Sequence, residues 1–245
     1  MTKLAAPKKI VAPAVPCVKP PPPFVPAWAK CDGGWVHYEI NRPARWVTMV
    51  MGGQLRIPRF QRAWKWTDAQ ILMLLDSIFR GDHVGSFLVW EQYNRPASTE
   101  TFGEVTVESP AGRCSYVIDG QQRLSALVTA MQSGRFFLNL EDGTFSNESG
   151  AWRLPLGMSS SYGQFNVAEA WISAQHTEHG IDKKRLWECY AAAVDKMGNG
   201  HIGATVLPYA WTIDRVVETF ERINSTGTPF EPEELRLALS RSEEA

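Results

Sequence analysis

Residues 116–124 read Tyr-Val-Ile-Asp-Gly-Gln-Gln-Arg-Leu, an apolar run that passes through Asp119-Gly120 directly into helix-forming sequence. No other segment restricts the fold as much. It commits the chain to a buried strand, Cys114 to Ile118, followed with almost no loop by a helix from Gln121 to Gln132. Glycine at such a junction lets the backbone come close to a ligand. The first amides of the helix have no internal acceptors and point at whatever lies before them. Such a terminus favours an anion by only about 0.3–1 kcal/mol. A charge-assisted bond from Arg123, of roughly 1.5–3 kcal/mol, would add to it. The segment alone admits two readings, a phosphate site or an ordinary turn in which Asp119 caps the helix.

The rest of the chain alternates between helical and strand periodicity without a repeat. Val47 to Met51 is expected as a short helix ending at Gly52-Gly53, and Gln54 to Pro58 as a strand. Thr67 to Arg80 reads as a helix. Thr67 and Gln70 have capping-box spacing, Ile71, Leu74, Leu75 and Ile78 lie on one face, and Gly81 is the stop. Val84 to Trp90 is expected as a buried strand, and residues 91–112 as a loop or irregular hairpin. Arg135 to Leu140 and Ala151 to Leu154 suggest a strand pair, residues 166–197 are helical, and Ala204 to Tyr209 is a strand. Thr212 to Ile223 and Glu231 to Ser240 follow as helices. The class is α+β or mixed α/β.

Residues 1–27 are expected to form a separate tail. Pro20, Pro21, Pro22 and Pro23 remove the backbone donors that helix and sheet require, so this stretch reads as extended or disordered. Residues 28–245 then form the folded domain. The formal net charge is −1, which excludes a polyelectrolyte-type binder of duplex DNA; any nucleic-acid contact must come from a local patch. Cys17, Cys31, Cys114 and Cys189 show no C-x-x-C spacing, so free thiols in a reducing compartment are expected rather than a zinc site. No apolar run approaches the roughly 20 residues of a membrane span, and the N-terminus is a poor signal peptide. A cytoplasmic protein is expected.

Two further segments carry candidate chemistry. Residues 57–66, Ile-Pro-Arg-Phe-Gln-Arg-Ala-Trp-Lys-Trp, alternate basic and aromatic side chains between a strand and a helix. Arg56, Arg59, Arg62 and Lys65 make a local positive patch there. Guanidinium groups bind phosphate oxygens and aromatic rings stack on bases, although composition alone favours tryptophans that fill the core beneath solvated arginines. Residues 220–230, Phe-Glu-Arg-Ile-Asn-Ser-Thr-Gly-Thr-Pro-Phe, end one helix and precede another; alone they say no more than helix capping by Asn224 and Gly227.

Taken in order, these three segments, with Gly85-Ser86 between the first two, resemble the N-terminal domain family of GmrSD-type modification-dependent restriction endonucleases over about residues 45–240. That resemblance implies a ParB/sulfiredoxin-like mixed sheet with flanking helices and a helical insertion. It implies a nucleotide site formed by Asp119, Gly120, Gln121, Gln122 and Arg123, lined by Gln61 and Arg62 and closed by Asn224 and Gly227. Asp119, Gln122 and Arg123 would be catalytic, with Asp119 holding Mg²⁺. Arg59, Trp64, Lys65 and Trp66 would contact DNA. Family members continue into a helical region and an HNH nuclease. No H-N-H-like cluster exists in this sequence, so DNA cleavage by the chain alone is not expected.

The leading expectation is therefore a Mg²⁺-dependent NTPase that senses or gates in a phage-defence system restricting modified DNA, working with a separate nuclease subunit or defence protein. A carboxylate beside phosphates is repulsive unless a metal lies between them, which suits Asp119. The alternatives are a non-catalytic module that holds a nucleotide or a flipped modified base on Trp64 or Trp66, and a phage-encoded decoy that binds host defence proteins.

Overall fold

The computed structural model describes residues 34–58, 61, 63–92, 98–107, 114–159 and 165–224. The chain divides into a short unit, Met1–Cys31, and a larger one, Asp32–Ala245, to which every described residue belongs. The expected proline-rich tail, the expected helix from Glu231 to Ser240, and Arg59, Arg62 and Gly227 lie outside the described residues.

The larger unit opens with β1 (His37–Asn41), α1 (Pro43–Met51), β2 (Leu55–Pro58), α2 (Asp68–Arg80) and β3 (Phe87–Gln92). Three two-residue strands follow, β4 (Ser98–Thr99), β5 (Thr101–Phe102) and β6 (Val105–Thr106). Next come β7 (Cys114–Asp119), α3 (Gln121–Gln132), β8 (Phe137–Asn139), β9 (Phe145–Ser146), β10 (Arg153–Pro155) and α4 (Leu156–Ser159). The described chain closes with α5 (Phe165–His179), α6 (Lys183–Asn199), β11 (Ile202–Leu207) and α7 (Ile213–Asn224).

The main sheet has the order β1-β11-β3-β7-β2-β4. It is mixed: β11 pairs parallel with β3 and β7 parallel with β2, while the β1–β11, β3–β7 and β2–β4 pairs are antiparallel. Smaller sheets are formed by β10-β8-β9 and by the β5-β6 hairpin. The class is α+β, and the helical pair α5–α6 is inserted between β10 and β11.

One face of the main sheet carries the larger core, built with Trp46, Val47 and Val50 of α1, Ile71, Leu74, Leu75 and Ile78 of α2, and the apolar residues of α3. The capping box of α2 forms as its sequence predicts. Thr67 accepts from the Gln70 amide, the Gln70 side chain accepts from the Thr67 amide, and Gly81 closes the helix at φ 81°. A cap of this kind contributes about 1 kcal/mol. The sequence of α3 offers one apolar face, Leu124, Leu127, Val128 and Met131, yet every residue from Leu124 to Met131 is buried. Small residues allow this. A Cβ on Gly103, in the β5–β6 turn, would meet the Ser125 carbonyl at 3.1 Å, so the hairpin lies against the helix backbone. The opposite face of the sheet is covered by α7, whose Val216, Val217 and Phe220 pack on Leu88, Trp90, Tyr116 and Ile118.

Arg56 is buried in β2, 3% exposed, and so leaves the surface patch to which the sequence assigned it. Cys114 and Cys189 are free thiols. No described helix is long and apolar enough to cross a membrane.

Candidate functional site

The junction between β7 and α3 builds the site. Gly120 adopts φ 90°, ψ 9°, the left-handed conformation that lets the strand turn into the helix within one residue. The space is closed as well: a Cβ there would lie 2.5 Å from Cδ1 of Phe87. Gly120, which has no side chain to offer, is the N-cap of α3. The turn in which Asp119 caps the helix is therefore not formed. Asp119 instead stands at the end of β7 with 41% of its side chain exposed. Beside it, the β3–β7 register shifts between Leu88 and Val89, an irregularity that re-aims the strand end.

Arg123 lies one turn into α3 and reaches back across the junction. Its Nη1 donates to the Val84 carbonyl at 2.8 Å and its Nη2 to the Ser86 carbonyl at 3.0 Å. Nη2 also stands 3.5 Å from Oδ2 of Asp119. Burial pulls the guanidinium below its ordinary pKa, and the Asp119 carboxylate opposes that shift. Gly85 makes the arrangement possible. It has φ 79°, and a Cβ on it would fall 2.5 Å from Nη1 of Arg123. The sequence reading placed Gly85-Ser86 at the opening of a strand. The structure makes it the seat of Arg123, and its signal in the sequence is the Gly-Ser pair before the apolar run.

The two glutamines of the junction and the first basic–aromatic segment are tied together. Gln61 Nε2 donates to the Ile118 carbonyl at 2.8 Å. Gln122 Nε2 donates to the Ala63 carbonyl at 3.1 Å, and Gln122 Oε1 accepts from the Lys65 amide at 3.2 Å. Both ends of the Gln122 amide are thus committed to the backbone of residues 63–65. The next ring pair, Trp64 and Trp66, sits with centroids 6.4 Å apart at 36°, both half-buried against the main core. Lys65 is exposed between them.

Gln61, Trp66, Asp119, Gly120, Gln121, Gln122 and Arg123 line one open cleft of about 170 Å³. The fold therefore gathers the residues singled out at 119–123 with Gln61 and Trp66, although they come from segments some 57 residues apart. Trp64 packs against the core beside Trp66 and is not among the residues lining the cleft. Asn224 ends α7, and its side chain lies outside the described residues. Among the described residues no group of three or more His, Cys, Asp or Glu side chains is placed to hold a metal. Asp119 offers a single carboxylate. That fits Mg²⁺, which is often bound by one or two carboxylates together with substrate phosphates and water.

Comparison with known proteins gives two results. Residues 47–240 match the model of the GmrSD restriction endonuclease N-terminal domain. An uncharacterized protein of Methanocaldococcus jannaschii is 26% identical over 234 residues, covering 78% of this chain, and the chain spans about 40% of that protein's length.

Proposed function

Since this chain belongs to the family of GmrSD restriction endonuclease N-terminal domains, we propose that its cleft binds a nucleoside triphosphate and hydrolyses it with Mg²⁺, as a sensor or gate within a system that restricts modified DNA. The observation that carries this reading is the N-terminus of α3, with Gly120 at its N-cap, opening into a cleft that also holds a partly exposed carboxylate. Helix amides and a nearby guanidinium favour phosphate oxygens. Phosphoryl transfer asks little of a protein beyond positioning and charge stabilisation, so a sparse site is sufficient.

The side chains divide the work. The amides at the start of α3 receive the phosphates. Asp119 would hold Mg²⁺ or orient the attacking water, and a metal held there would supply charge neutralisation at the phosphate oxygens. Gln61 spends its amide nitrogen on Ile118, so its Oε1 is the atom that can face a water or a base. Gln122 acts on the backbone of residues 63–65 and so positions Trp66. Arg123 presents its guanidinium beside Asp119 while holding the Val84–Ser86 segment in place.

The test is nucleotide binding and phosphate release by the purified chain with Mg²⁺, across ATP, GTP, CTP and UTP. Asp119→Asn is expected to abolish release while leaving the fold intact, because the carboxylate is half-exposed. Arg123→Ala is expected to remove both binding and release. Unchanged hydrolysis in both variants would sink the proposal. A second reading rests on Trp66 lining the cleft. In that case the pocket holds a nucleotide or a flipped modified base by stacking, and binding without phosphate release, lost in Trp66→Ala, is the result that selects it.

A further inference from the structure

Among the described residues β1 is an edge of the main sheet, and its outward features are unusual for an edge left to solvent. Protected edges carry charged side chains, lysine above all, or proline or bulges, and of these β1 has only Glu39. β1 reads His-Tyr-Glu-Ile-Asn, has neither lysine nor proline, and pairs with β11 in continuous register from His37 to Asn41. Tyr38 is 56% exposed and Ile40 62% exposed, and Val36, just before the strand, is 42% exposed. These positions alternate, so they share one face, the side on which Thr205 and Gly203 stand opposite them. Tyr38 lies directly over Gly203, where any Cβ would collide with its ring. The other edge, β4, has only two residues. β1 also precedes the residues matched by the family model, so this edge is a feature of the chain outside that match.

We propose that the protein self-associates through β1, which pairs antiparallel with β1 of a second copy about a two-fold axis at Tyr38. The side-chain pattern selects this partner and this register. With Tyr38 opposite Tyr38 of the second copy, His37 faces Glu39 of the second copy, and Val36 faces Ile40 of the second copy. Within one strand, His37 Nε2 lies 3.4 Å from Oε1 of Glu39, so the two side chains share one face, and the second copy would extend this pair into a four-membered ladder. The two-fold axis repeats both the His–Glu pair and the Val–Ile pair, and directly opposed pairs of these kinds stabilise a sheet. Shifting the axis to Glu39 sets two carboxylates face to face, which is destabilising. Shifting it to His37 leaves Ile40 opposite Gly34. An isologous contact of this kind makes one continuous sheet and closes after two copies.

Sedimentation velocity of the full chain across the micromolar range is expected to show a monomer–dimer equilibrium. Ile40→Lys is expected to shift it to monomer with an unchanged melting temperature, since Ile40 is mostly exposed. Register is read by oxidation: Tyr38→Cys should form a disulfide-linked dimer beyond the background of the native cysteines. Ile40→Cys should not, because the two copies of position 40 would stand about 14 Å apart. A chain that stays monomeric overturns the proposal. So does a dimer that Ile40→Lys leaves intact, or one in which both cysteine variants cross-link equally.

Discussion

At Gly120 two requirements coincide, and each argues for the same residue. The left-handed φ costs an L-residue about 1–2 kcal/mol, and the Phe87 ring leaves no room for a methyl group. Overpacking of that kind costs about 1–3 kcal/mol. Gly120→Ala is therefore expected to lose about 2–5 kcal/mol, read as a lowered midpoint in chemical denaturation; a loss below 1 kcal/mol would mean the junction relaxes freely. Gln122 makes a finer test. Gln122→Glu keeps the acceptor for the Lys65 amide but turns an oxygen toward the Ala63 carbonyl, leaving that acceptor unmatched. A destabilisation of about 1–3 kcal/mol is expected, with weaker nucleotide binding because residues 63–65 lose their clamp. A variant equal to the parent in both would show that the clamp is dispensable. These two residues also mark how far the site was legible. The Asp-Gly junction announced itself because glycine at a strand–helix turn has few other uses. For Gln122 the sequence suggests catalysis and does not show that both ends of its amide are engaged by backbone 57 residues or more away.

Among elements, the one that ties most of the others together is a charge cluster around Arg135, just beyond α3. Its Nη1 bonds Oδ2 of Asp68 at 2.6 Å, and its Nε and Nη2 bond the two Glu104 oxygens at 3.0 and 2.5 Å. Asn147 also donates to Asp68, at 3.1 Å. The cluster thus joins the start of α2, the β5–β6 turn and the β9 strand end. The Arg135 hydrogen bond holds the Asp68 carboxyl below its ordinary value of 3.8. A carboxyl depressed in the folded state stabilises the fold above its unfolded pKa, and that contribution drains away as pH falls through the folded value. Stability should therefore decline below about pH 4. Asp68→Asn should lose about 1 kcal/mol at neutral pH, a figure kept small because the pair is over one-third exposed. It should also flatten the acid limb; a limb as steep as the parent's would rule Asp68 out as a contributor. Element boundaries were legible wherever local chemistry set them, as for α2 between Thr67 and Gly81. They were not where tertiary contacts did. The strand expected at Val84 begins at Phe87, because Arg123 draws the Val84 and Ser86 carbonyls out of the ladder. The helical stretch 166–197 is two helices, broken where Gly180 takes φ 67° and Asp182 caps α6. β1 was not foreseen, since half of its pattern faces outward without a visible partner.

Over the whole molecule, the decisive quantity for nucleic acid is where the few uncompensated cations lie. The chain carries a formal net charge of −1, so unmodified duplex DNA should bind only through a local patch. The sequence offered Arg56, Arg59, Arg62 and Lys65 for that patch, and burial of Arg56 in β2 removes one of them. Each phosphate neutralised on duplex DNA contributes about −0.9 to the slope of log K against log salt, so three cations set a limit of about −2.7. Anisotropy titrations of a labelled unmodified duplex at several salt concentrations should give weak binding and a slope no steeper than that. Lys65→Ala, at an exposed position beside the cleft, should make the slope shallower by about 0.9. A steeper parent slope would mean that a basic surface elsewhere on the chain meets the DNA. A slope untouched by Lys65→Ala would separate the cleft from the DNA path, and nucleotide binding would then be the only task left to the 57–66 segment.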